Sequence, residues 1–97
     1  MSARTWRIRD NVAWVDEGER VVVTDLADPR VSAPLVLEAT GATIWRACQC
    51  STDQDRLISA VGAAYDRPAE SILDEVVEFL ERLELLGLVR SDHSTGA

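Results

Sequence analysis

The 97-residue chain contains no lysine, and all 10 of its basic side chains are arginines. Arginine suits bidentate carboxylate pairing, but the same bias follows from GC-rich coding, which is the plainer explanation here. Basic residues are also outnumbered, 10 against 17 acids, for a formal charge of −7. That balance argues against a nucleic-acid backbone, which proteins hold by clustered Lys and Arg. A single histidine, His93, stands near the end, with no Ser/His/Asp set and no Gly-rich phosphate loop. Neither an enzyme nor a bound cofactor is expected from such a chain. No apolar run approaches the roughly 20 residues that span a bilayer, and the N-terminus lacks the apolar core of a signal peptide. The expectation is a cytoplasmic protein with no membrane and no nucleic-acid partner. Cys48 and Cys50 are too close in sequence for easy bridging, and with His93 they make no four-ligand metal set. They read as one half-buried thiol at a helix end and one exposed in a loop.

What the chain does hold is 46% hydrophobic residues, enough for a single domain with one core. The apolar period switches once, near residue 38, from β-like to helical. Residues 6–9 and 12–15 read as one first strand, bent or interrupted at Asp10-Asn11. After the Glu17-Gly18-Glu19 turn, the β-branched run at residues 20–24 is a second strand. Residues 32–37 form the third, and Pro34 inside it marks an edge strand, because proline cannot donate to a ladder. Thr40 is a candidate cap for a short helix carrying Ile44, Trp45 and Cys48, with Trp45 as a core anchor. The hydroxyls and acids of residues 51–55 start a second helix, as in a capping box. A third begins near Pro68 and ends at Gly87 as its C′ residue. The domain is expected over residues 1–90, with 91–97 a flexible polar tail.

The third helix carries more apolar surface than a core requires. At about 100° per residue, Ile72, Val76, Phe79 and Leu83 gather on one side, while Leu73 and Val77 extend the stripe further round. Packing on neighbouring elements would explain that width. So would a groove between an apolar helix flank and an exposed strand edge, able to take an extended peptide as an added strand.

Several segments in order carry a family resemblance. They are the Val-rich second strand ending in Asp25-Leu26, then Leu37, Thr40 and Ile44-Trp45, then Tyr65-Asp66, and finally Asp74-Glu75-Val76, Phe79-Leu80, Leu83 and Gly87-Leu88-Val89. Across roughly residues 12–89 the sequence resembles the PqqD-like family, the recognition elements of ribosomal natural-product (RiPP) biosynthesis. The resemblance implies an α+β, winged-helix-like unit, a three-stranded antiparallel sheet followed by three helices. It further implies that a precursor's leader peptide pairs with the third strand and rests on the third helix. On this sequence those positions are Val31, Ser32, Ala33, Pro34, Leu35, Val36 and Leu37, with Leu73, Val77 and the rim acids Asp74, Glu78 and Glu81. A free-standing element of a lasso-peptide pathway, handing the leader to a protease or other modifying enzyme, is the expected role. The alternatives are a peptide chaperone of a pyrroloquinoline-quinone-type pathway and a winged-helix DNA-binding regulator. The second of these lacks a basic recognition helix.

Overall fold

The computed structural model describes residues 2–26, 33–50 and 52–95. In chain order its elements are β1 (Ser2–Ile8), β2 (Val12–Asp16), β3 (Arg20–Asp25), β4 (Leu35–Glu38) and α1 (Thr40–Ala47). A 3-10 turn (Cys48–Cys50) then leads to β5 (Thr52–Asp53), α2 (Gln54–Ala64), α3 (Ala69–Leu85) and β6 (Val89–Thr95). The architecture is α+β: an antiparallel sheet ordered β2-β3-β4, followed by three helices. A second antiparallel sheet, ordered β5-β1-β6, accompanies it.

That second sheet corrects two expectations. The bent first strand is two strands in different sheets, with β1 paired to β6 from Ser2 opposite Thr95 to Ile8 opposite Val89. The segment from Ser91 to Thr95, expected as part of a polar tail, is the outer half of β6. Its partner lies at the other end of the chain, so no local pattern announces the pairing. On the inner face of β1, Trp6 is fully buried, and its indole N–H donates to Gln54 Oε1 at 3.1 Å.

Both sheets and all three helices close on one core. Val21 and Val23 enter it from β3, Leu37 from β4, Ile44 and Trp45 from α1, and Leu57, Val61, Ile72, Val76, Leu80 and Leu83 from α2 and α3. Trp45 is fully buried, as its place in the helical stripe predicts, and Trp14 meets it edge-on at 6.2 Å.

Helix ends follow local chemistry, though not always at the residue expected. Thr40 is the first residue of α1 rather than its cap, and Ala39 before it makes no side-chain capping bond. The cap of α2 is Asp53, whose Oδ1 accepts from the Arg56 N–H at 2.8 Å. A carboxylate there also complements the helix dipole, which neither neighbouring hydroxyl would do. Pro68 caps α3, where a missing N–H costs nothing. Gly87, at φ 78°, closes α3 as expected. Its N–H donates to Glu84 O at 3.0 Å, and Leu88 N–H donates to Leu83 O at 3.1 Å, the paired bonds of a Schellman motif.

No helix among the described residues is long and apolar enough to cross a membrane.

Two stability predictions follow from packing. A Cβ on Gly62 would stand 2.6 Å from the Arg67 carbonyl oxygen, which is fixed backbone. Gly62→Ala should therefore destabilise the fold by about 1–3 kcal/mol, as for an overpacked site, and so lower the urea midpoint despite alanine's better helix propensity. Cys48 is completely buried rather than half-buried, and burial pushes its thiol up to about 12 from an ordinary 9.0. The unfolded chain would release that proton first, so stability is intact below pH 9 and falls as pH rises toward 12, by about 1.4 kcal/mol per unit. Urea melts from pH 8 upward should show this slope in the wild type and not in Cys48→Ala. The side chain of Cys50 lies outside the described residues.

Candidate functional site: the outer edge of β4

β4 is an outer strand of its sheet, and its amide directions can be read from two hydrogen bonds. Glu17 N–H donates to Arg20 O at 2.8 Å, and Leu26 N–H donates to Asn11 O at 2.7 Å. Both pairs continue the register in which Val15 faces Val22, so Val22 turns its N–H and C=O toward β2. Val21 and Val23 then turn theirs toward β4, where they meet Leu37 and Leu35. Val36 and Glu38 are left with N–H and C=O on the open side. Pro34, one step earlier in the same alternation, presents a carbonyl and no N–H.

Side chains alternate across the same strand. Leu37 is buried and Leu35 half-buried, facing the core, while Val36 and Glu38 are exposed. Val36 completes a cross-strand row with Val22 and Val15 on the outer face of the sheet. Where the chain leaves β4, Glu38 and Ala39 share a hollow with Glu17, Glu19 and Arg20, so that end of the edge is acidic. Arg20 there is bound to Glu17. The hairpin beside it is braced to α1 by Arg46, whose Nε and Nη2 donate to the two oxygens of Asp16 at 2.8 Å each. That bidentate bond, with the Gly18 N–H, holds the Asp16 carboxyl at about 2.

The outer edge of β6 is closed where that of β4 is open. Arg9 N–H donates to Leu88 O at 3.1 Å, which sets the phase of this ladder and turns Ser91 outward. The Ser91 N–H and hydroxyl both donate to Glu84 Oε2, at 3.1 and 2.8 Å. Arg4 holds the other oxygen at 3.5 Å, so a side chain of α3 occupies that edge.

The expected site residues are only partly brought together. Leu35, Val36 and Leu37 lie on β4, Ala33 and Pro34 are exposed just ahead of it, and Val31 and Ser32 fall outside the described residues. Leu73 is 40% exposed but lines a hollow of about 270 Å3 with Asp55, Ile58, Ser59, Ala69 and Glu70. No residue of β4 borders that hollow. Val77 is half-buried against the core, Glu81 approaches Arg4 of β1 at 3.9 Å, and Glu78 pairs with Arg82 at 3.6 Å. Asp74 is exposed.

Phe79 of α3 reaches the first turn of α1, the helix that follows β4. A Cβ on Gly41 would stand 3.0 Å from the Phe79 ring, so the glycine in the first turn of α1 is what admits it. Leu73 and Phe79 stand about 120° apart around the helix. Periodicity identified a wide apolar stripe but not the approach of Phe79 to the start of α1. A glycine at a helix start, paired with an aromatic outside the centre of a stripe, is the signal that could have found it.

The sequence profile described as Coenzyme PQQ synthesis protein D (PqqD) matches residues 24–89. Among solved structures, TbiB1 in complex with the TbiA(beta) leader peptide has the same fold. The two chains align with a TM-score of 0.75 at 21% identity, over 87% of this chain and 94% of that one. No curated protein matches the sequence. The profile match runs from the end of β3 through β4 and all three helices to the first residue of β6, and the chain belongs to the PqqD family.

Proposed function

We propose that this protein binds the leader segment of a ribosomally made precursor peptide by strand addition to β4. It presents that peptide to a separate maturation enzyme or leader protease, in a RiPP pathway of the lasso-peptide type. The observation that carries this reading is the open edge at Val36 and Glu38, where no side chain among the described residues bonds to the strand as Glu84 does to β6. The leader's main chain bonds to Val36 and Glu38 and to the Pro34 carbonyl. Leader side chains on the inner face extend the surface of Leu35, Leu37 and Phe79, and those on the outer face continue the valine row. The role is holding and handing over, not catalysis. The −7 charge suits a peptide ligand and disfavours DNA. Membership in the PqqD family and the leader peptide carried by TbiB1 support the choice of ligand.

The phase of the ladder separates two neighbouring substitutions. Val36→Pro removes an outward N–H, so the protein should fold and bind leader about tenfold more weakly, the value of roughly one hydrogen bond. Leu35→Pro removes a bond to β3 and should destabilise the fold itself. In hydrogen exchange on a saturated complex, the Val36 and Glu38 amides should slow, while Leu35 and Leu37 are already protected in the free protein. Unchanged exchange at Val36 and Glu38 would exclude strand addition here.

The flank of α3 is tested by a second pair. Phe79→Ala should weaken leader binding by about tenfold or more, the worth of an aromatic anchor. Leu73→Asp, on the flank that faces α2, should bind nearly as the wild type. Peptide titration with circular dichroism on the same samples distinguishes lost contact from lost fold, and the reverse ranking would place the leader against Leu73.

A further inference from the structure

Seven of the nine arginines described with their side chains have a carboxylate within 4.0 Å. The two that do not, among the described residues, are Arg7 and Arg9. Both line one hollow of about 300 Å3, together with Ile8, Asp10, Asn11 and Arg90. Arg7 stands directly opposite Arg90 in the β1–β6 register, and Arg9 follows two residues along on the same face. Like charges directly opposite in an antiparallel pair oppose folding by a few tenths of a kcal/mol to about 1 kcal/mol. Arg90 is partly neutralised by Asp92 at 3.1 Å, and Arg9 donates to the neutral Asn11 Oδ1 at 3.3 Å. Asp10 is the single acid among the described residues of the lining. In a chain of 17 acids and 10 bases, three guanidiniums thus converge on one exposed hollow, and two of them have no carboxylate within 4.0 Å among the described residues.

We propose that this hollow is a carboxylate-binding site whose occupant is a short acidic segment of a partner polypeptide. Guanidinium forks match carboxylates in bidentate geometry, and three in one place prefer several acids in sequence to one. A nucleic acid or an anionic membrane would spread negative charge across the rest of an acidic surface, whereas a short segment meets the hollow alone. The site is on the β5-β1-β6 sheet, apart from β4, so it is independent of the leader-binding reading and offers a second contact for the same protein.

The test uses the whole chain, isotope-labelled for amide spectra, titrated at low salt with hexaglutamate and separately with inorganic phosphate. Hexaglutamate should give saturable shifts at residues 7–11 and at Arg90. Its affinity should fall at least about tenfold in Arg7→Gln/Arg9→Gln and in about 1 M salt, where the Debye length is about 3 Å. Phosphate at matched charge should bind at least about tenfold more weakly. Absence of saturable shifts there, equal affinity in the double variant, or phosphate binding as tightly as the peptide would each overturn the proposal. Thermal melts supply a second reading, since Arg7→Gln relieves a like-charge pair. Its midpoint should hold or rise, and a fall would make Arg7 a structural residue instead.

Discussion

The reversal at Ala39 is the constraint on which the rest of the molecule turns. This residue holds φ 52° and ψ −126°, a region that L side chains avoid. Such strain costs of order 1–3 kcal/mol and persists only where surrounding packing enforces it. Here the packing is α1 itself, which drops straight from β4 and buries Ala42, Ile44, Trp45 and Cys48 in the common core. Thr43 N–H closes the first turn onto the Ala39 carbonyl at 3.2 Å. Because one residue makes the whole connection, no loop exists at that end to fold back over β4.

An edge held in this way has the direction of its outward amides set by its own sheet. Its inner bonds to β3 fix the phase of the outward amides, the Arg46–Asp16 brace fixes the hairpin against α1, and the Phe79 ring rests on Gly41. A peptide joining it bears its own ordering cost, and the protein adds little to that cost. Affinity on such a surface comes from main-chain bonds, which any sequence can make. If the leader binds here as proposed, selection between peptides rests on the inner apolar wall and the acids around Glu38.

Much of the fold was legible, and the illegible parts share a physical character. The β3 run, the edge character of Pro34, the Trp45 anchor and the Gly87 stop are all signalled within a few residues of where they act. The split of the first strand was not, because β1 finds its partners at Thr52–Asp53 and Val89–Thr95, far along the chain. A polar stretch such as Ser91-Asp92-His93 has no alternation of its own and becomes a strand only because β1 is there to pair with it. The cap of α2 moved from the hydroxyls to Asp53 because both candidates lie within one turn and carboxylate geometry decided between them. That Phe79 of α3 can approach the start of α1 depends on a missing Cβ at Gly41, which periodicity does not encode.

Pro34 has a consequence for how copies of this protein meet one another. Two open edges could pair with each other around a two-fold axis, as bare strands tend to do. Centred on Val36, such a pair sets each Glu38 opposite Pro34 of the other copy, and each Glu38 carbonyl then faces a nitrogen with no hydrogen. Moving the centre to Leu37 restores those bonds but draws the two Glu38 carboxylates and the hairpin acids together. A foreign strand carries neither penalty, provided it has an ordinary residue opposite Glu38 and no acid nearby. The edge is therefore open to others and closed to itself.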